Sequence, residues 1–411
     1  MKKVLVIGYV WPEPDSSAAG SRMLSVLRLL KKQNWQIEFA TPAQETDHMA
    51  ALNAEGVRSK NIKLNCNSFD VYITQYQPNI VIFDRFMMEE QFGWRVDKYC
   101  PNAVKILDTV DLQCLRVARH MAFKQDRNLT SSDLSSNLAK REIAAIMRCD
   151  LSLIISPFEM SLLTDHYKID ATLLHHLPFM VNLSKLPDKT TSFTERHNFI
   201  TIGNFRHAPN WDSVIHLQTL WPKIKKQLPD AQCHVYGAYP PPKATALNNE
   251  KAGFLIKGWA ENSLNVMEQA RVCLAPLRFG AGLKGKLLDA MIMQTPSVTT
   301  HIGSEGMHAQ YPWPGSIADN SSKFITNAVN LYQNHSTWEV AQSNCHPLLH
   351  SLYNSQILGE ALISKIANIE QHLSRHRLEN FTGAMLKHHT MASTKYMSQW
   401  ISAKNELKQE S

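Results

Sequence analysis

The residues best placed to do chemistry lie together in Pro276-Leu277-Arg278-Phe279-Gly280-Ala281-Gly282-Leu283-Lys284-Gly285-Lys286-Leu287-Leu288-Asp289-Ala290-Met291. Val272-Cys273-Leu274-Ala275 before it is a short apolar run, as in a buried strand. Leu287, Leu288 and Met291 after it open an apolar helical face. A glycine loop between strand end and helix start exposes backbone N–H groups, and Lys284 and Lys286 add charge beside them. That chemistry suits a diphosphate. Asp289, one turn inside the helix, can accept from a sugar hydroxyl; its plainer role is to favour the helix dipole. Arg206 follows a second strand end at Gly203 and can meet a diphosphate through two parallel hydrogen bonds. Asp108 and Asp111, in Leu107-Asp108-Thr109-Val110-Asp111-Leu112, end a third strand and are either cleft acids or helix caps. Asp84-Arg85 ends the strand before it, and Ser17, Gly20 and Ser21 occupy the first strand–helix loop.

Strands must position these residues. The first half predicts strands over Val4–Val10, Ile37–Thr41, Ile80–Asp84, Val104–Leu107, Leu151–Ser156 and Ala171–Leu174, with helices at Arg22–Lys32 and Pro157–His166. Short apolar runs alternating with helices mean parallel strands buried on both faces. The expected division is an N-terminal Rossmann-like domain over 1–180, a linker over 181–197 rich in turn formers, a second such domain over 198–350, and a helical segment over 351–411. The fold class is therefore α/β, with two doubly wound halves facing a central cleft and a helical tail. The tail is expected to pack back on the first domain, with Met397 and Trp400 as its apolar face.

Composition narrows the function. Apolar content of 44% and charged content of 19% are those of an ordinary globular chain. A net charge of +7 without a block of like charges is no nucleic-acid footprint, but it suits an anionic substrate or the inner face of a cell membrane. Seven scattered cysteines without a CxxC pair point to reduced thiols and a cytoplasmic setting, not to disulfides or zinc. Lys2-Lys3 and the short apolar run after it do not make a signal peptide, and no apolar stretch is long enough to span a membrane. The histidine pairs His175-His176 and His388-His389 hold adjacent residues, which face apart, so no metal site is expected. No GxGxxG fingerprint supports a dinucleotide, and no cofactor is expected.

Four segments, spread over about 110 residues, resemble in order and spacing the donor-binding half of GT-B glycosyltransferases of the nucleotide-sugar-dependent family 4 (group 1) type. They are Phe199 to Asn210, Trp221 to Gly237, Pro276 to Met291, and Gln294 to Gly306. The resemblance implies a sugar donor on the C-terminal domain, bound by Gly203, Arg206, Gly282, Lys284, Lys286 and Asp289, with Glu305 on a loop facing it. It implies an Asp near the reacting sugar carbon, for which Asp111 and Asp108 are the available acids. It also brings Ser17, Gly20 and Ser21 near the donor phosphates or the acceptor. Asp289 matches the second acid of the family's Glu-x7-Glu motif, whereas the first falls on Ala281, a departure that bears on sugar contact. The implied activity is transfer of a sugar to a hydroxyl acceptor, with retention, the acceptor being a glycan or lipid-linked molecule of the cell envelope. A nucleotide-sugar epimerase of the same fold and a non-catalytic nucleotide-sugar-binding scaffold are the other readings.

Overall fold

The computed structural model describes residues 1–186, 191–389 and 391–409. Residues 187–190 of the expected linker lie outside the described residues. Two parallel sheets form the frame. The first holds β1 (Lys3–Ile7), β2 (Gln36–Thr41), β3 (Arg58–Asn61), β4 (Ile80–Asp84), β5 (Val104–Asp108), β6 (Leu151–Ile154) and β7 (Leu174–His176), in the order β3-β2-β1-β4-β5-β6-β7. The second holds β8 (His197–Ile202), β9 (Cys233–Tyr236), β10 (Phe254–Gly258), β11 (Ala270–Ala275), β12 (Ser297–Thr299) and β13 (Gly315–Ile317), in the order β10-β9-β8-β11-β12-β13. Every residue of β4, β5 and β6 is buried, as strands covered by helices on both faces must be.

Several local expectations shift. The first long helix is Ala18–Lys31 and starts earlier than its apolar period suggests, because the Ser17 side chain accepts from the Gly20 amide as an N-cap. Gly20 and Ser21 are therefore helical residues, not loop residues. Ala171–Leu173 is a short 3-10 turn, and the strand begins only at Leu174. The exposed β3 and the three-residue β13 carry too little apolar pattern to be read from sequence.

The tail returns to the first domain. Val181 and Asn354 form an isolated bridge, and the helix Ser355–Gln371 then buries Leu362, Ile366 and Ile369 in the core beside Val4, Leu27 and Ile106. Further on, Arg377 grips both carboxylate oxygens of Asp150 at 2.8 and 2.7 Å. Met397 and Trp400, expected to be the apolar contact, are instead 58% and 59% exposed. Their helix is held by polar contacts such as Ser398 Oγ donating to Asn65 Oδ1. Ile366→Ala should therefore cost about 2–5 kcal/mol in a urea melt; a loss below about 1 kcal/mol would show that the tail contributes little to the first core.

Candidate functional site

Both sheets share the doubly wound strand order, so each has a switch point where the strand order reverses, between β1 and β4 and between β8 and β11. Ligands of such sheets bind outside the carboxyl ends of the strands at that point. The two switch points face one another here. The loops that leave β1, β4 and β5 form one wall, those that leave β8 and β11 the other, and a cavity of about 820 Å³ lies between them.

The C-terminal wall carries Gly203, Arg206, Lys284, Lys286 and Asp289 together. Lys284 is the N-cap of the helix Gly285–Ile292, yet its side chain makes no capping bond, so the Gly285 and Lys286 N–H groups are left for a ligand. Its ammonium curls back and donates to the carbonyls of Ala281 and Gly282. Lys284 and Lys286 are half-buried, with protein packed around their stems and a face on the cavity. Loss of hydration lowers both ammonium pKa values to about 8. Lys286, two residues on, also lines the cavity. Asp289 accepts from Ser263 Oγ at 3.1 Å, and burial raises its carboxyl to about 6. The Arg206 guanidinium lies 3.6 Å from the centre of the Tyr239 ring. The Tyr239 hydroxyl donates to both carboxylate oxygens of Glu13, across the cleft, at 3.0 and 3.1 Å.

Charge at this wall gives a pH prediction. The protonated lysines attract an anion, so diphosphate affinity should fall as pH rises through about 8. The stability of the free chain runs the other way. Between about 8 and the ordinary lysine value of 10.5 the unfolded chain binds more protons, so these two groups favour folding increasingly as pH rises. Calorimetric titration of a nucleoside diphosphate at pH 7 and pH 9, with urea melts at both, checks both signs. Equal affinity at the two pH values would contradict the assignment.

On the N-terminal wall, Asp111 lines the cavity and accepts from Arg116 Nη1 at 2.5 Å. The residue before it, Val110, has φ of 65°, a costly conformation for a β-branched side chain. Strain of this kind, on the order of 1–3 kcal/mol, persists where a site over-determines the backbone. Arg85, also in the cavity wall, has φ of 70°. Ser17 and Ser21 line the cavity as well.

Four candidates lie outside the cavity lining. Asp108 is fully buried against Arg22, whose Nε lies 3.1 and 3.2 Å from its two oxygens, and it does not reach the cavity. A carboxylate at the last residue of a central strand is covered by the helix above it, so it holds that helix's arginine. Glu305 does not line the cavity, although its charge acts on the neighbouring Lys284. It takes both Arg119 nitrogens, at 2.7 and 2.8 Å, as a bridge between the two domains. Gly20 packs against the Glu13 backbone, where a Cβ would lie 2.4 Å from Glu13 carbonyl atoms. Gly282, with φ of 61°, stands just behind the cavity; a Cβ there would come within 2.9 Å of Asp111 Cβ.

Sequence reasoning missed Glu159, Arg116, Glu13, Tyr239 and Ser263. Arg116 follows Asp111 by five residues, in the first turn of the helix Gln113–Lys124, and that spacing is a weak hint. The others join the site only through tertiary contact and leave no local mark.

Comparison with known proteins gives a consistent assignment. Residues 196–334 match the family model described as Glycosyl transferases group 1. Curated protein sequences gave no match. Among solved structures, an S. aureus TarM mutant in complex with fondaparinux, alpha-GlcNAc-glycerol and UDP superposes with a TM-score of 0.70 at 10% identity, over 90% of this chain and 100% of that one. Anabaena HepE in complex with UDP and glucose gives a TM-score of 0.68 at 8% identity, over 89% and 100%. Sucrose-phosphate synthase from Thermosynechococcus elongatus gives 0.66 at 13%, over 90% and 99%. At such identities the likeness is one of fold, and the fold is GT-B.

Proposed function

We propose, from the premise that this chain is a GT-B glycosyltransferase carrying a group 1 domain at residues 196–334, that it moves a sugar from a nucleoside diphosphate sugar to a hydroxyl of a cell-envelope glycan or lipid-linked acceptor. The observation that carries this reading is the convergence of Arg206, Lys284, Lys286, Asp289 and an uncapped helix N-terminus on one wall of a cavity whose other wall holds Asp111. The first set fits a diphosphate and a ribose; the second faces the place where the sugar would project. The UDP in the TarM and HepE structures, and the alpha-GlcNAc-glycerol in TarM, support the same ligand classes here.

In the proposed reaction the bond between the anomeric carbon and the β-phosphate oxygen breaks, and the acceptor oxygen forms the new bond to that carbon. Negative charge grows on the departing diphosphate. Lys284, Lys286, Arg206 and the helix N–H groups stabilise it as it forms, which lowers the barrier more than it tightens donor binding. The acceptor proton passes to the departing diphosphate oxygen, while Asp111, oriented by Arg116, is the carboxylate facing the sugar and offsets positive charge growing on the anomeric carbon. Retention of anomeric configuration belongs to this proposal through the group 1 resemblance. Contacts such as Tyr239 to Glu13 and Arg119 to Glu305 span the cleft, and a closed cleft limits hydrolysis of the donor. No described helix is long and apolar enough to cross a membrane.

A thermal-shift screen of UDP-, GDP-, ADP- and dTDP-sugars tests the donor side. A ligand at 100 times its Kd stabilises the folded state by about 2.7 kcal/mol, enough to be seen as a shift in Tm. One base class should stand out. A flat response to all four at millimolar concentration would contradict the proposal.

A further inference from the structure

Glu159 is the side chain that the proposed chemistry leaves unused and the fold treats with most care. It sits on the short helix Pro157–Ser161 that follows β6, with no exposed surface. Its own amide is fixed by Ser156 Oγ at 3.2 Å. One carboxyl oxygen, Oε1, accepts two backbone amides from different domains: Leu112 N at 3.1 Å and Gly282 N at 2.9 Å. The other, Oε2, is buried without a hydrogen-bond partner. A buried acidic group with one empty oxygen is costly, so the fold must gain something from holding it there.

Its two amides indicate the gain. Leu112 directly follows Asp111, and Gly282 opens the turn that leads to Lys284. One oxygen atom thus stands between the loop that carries the acid and the loop that carries the diphosphate cation. The packing around it is tight. The Gly282 Cα hydrogen points at Asp111 and Ile155, where a Cβ would meet Asp111 Cβ at 2.9 Å and Ile155 Cγ2 at 3.3 Å. The other flank of the glycine loop is held from the same domain, since Arg119 Nη1 donates to the Gly280 carbonyl at 2.9 Å. The glycine loop is therefore pinned at two points to the domain opposite its own.

We infer that Glu159 is a positioning residue, whose Oε1 is the shared acceptor that sets the spacing and facing of the glycine loop and the Asp111 loop across the cleft. The consequence for turnover rests on the proposed sugar transfer; the contact itself does not. Burial, with Asp111 nearby as the next cause, raises the Glu159 carboxyl to about 8. A neutral carboxyl still offers its carbonyl oxygen to both amides, so an uncharged acceptor of the same length suffices for this role.

Two near-isosteric variants separate the possibilities. Glu159→Gln keeps a carbonyl oxygen at the same reach; Glu159→Met keeps the length and removes the acceptor. Hydrogen exchange on the ligand-free full chain, read by mass spectrometry, needs no substrate. It should show Glu159→Met losing protection in the peptides that contain Leu112 and Gly282, and Glu159→Gln retaining it. With UDP-glucose as probe, hydrolysis or transfer by Glu159→Met should fall about tenfold to a hundredfold, as expected for misaligned groups, with UDP affinity changed less than about threefold. Glu159→Gln should stay within about threefold of the parent in rate. Unchanged protection of both peptides in Glu159→Met overturns the inference. So does a Glu159→Gln chain as impaired as Glu159→Met, because charge and not acceptance would then be the property used. If the parent chain gives no reaction with UDP-glucose, the exchange result alone decides the positioning claim, while the donor assignment fails separately.

Discussion

Lys284→Met should lower turnover about 10²–10³-fold while changing the donor KM much less. Methionine keeps most of the side-chain volume and removes the charge. The Lys284 ammonium stands at the start of the helix Gly285–Ile292, where charge would develop on a departing diphosphate. A preformed cation in such a place acts mainly on the transition state, because the bound donor carries its charge partly dispersed in the ester. Lys286→Met should also reduce turnover, since that side chain lines the same cavity and shares the same depressed ammonium pKa. Steady-state kinetics with folding checked by circular dichroism measures both. A Lys284→Met chain within about threefold of the parent would make Lys284 a structural loop residue, anchoring the Ala281 and Gly282 carbonyls and nothing more.

Asp108→Ala should be a stability variant, losing about 3–5 kcal/mol, and Asp111→Ala an activity variant. The two acids lie three residues apart at one strand end, and Asp111 is the one the sequence reading favours. The structure separates them. Asp108 is fully buried against Arg22, whose Nη1 also donates to the Leu177 and Pro178 carbonyls at 2.6 and 3.2 Å. Removing the carboxylate leaves a buried guanidinium without its counter-charge, the costly way to break such a pair. Asp111 faces the cavity, and its partner Arg116 is partly solvated. Its loss should cost little stability and most of the activity. Urea melts beside initial rates distinguish the two. If Asp108→Ala were as stable as the parent but inactive, the roles would be reversed.

That pair also shows what a sequence can and cannot disclose. The alternation of apolar runs with helices is a property of each segment, so it led directly to two doubly wound sheets, and their shared strand order places the cleft. The lysine–glycine loop was legible for the same reason: Gly280 to Asp289 carries its chemistry in adjacent residues. The burial of Asp108 was not, because it depends on the helix carrying Arg22, 86 residues away. Glu305 is placed near the donor only by the family resemblance of its loop, and Arg119, its partner, lies 186 residues off. Tyr239 and Glu13 meet across 226 residues, and nothing local marks either. The tail divides the same way. Leu362 and Ile366 carried a helical period and are buried, whereas Met397 and Trp400 are apolar yet exposed, because burial depends on what lies opposite.

The most direct measurement is calorimetric titration of UDP, GDP, ADP and dTDP into the chain and into a Lys284→Met/Lys286→Met double variant at pH 7. If the wall formed by Arg206, Lys284, Lys286 and Asp289 is a nucleotide-diphosphate site, one of the four should bind the parent. The double variant should bind that nucleotide at least about tenfold more weakly, or about 1.4 kcal/mol. No binding by the parent at millimolar nucleotide, or equal affinity in the double variant, would contradict the account.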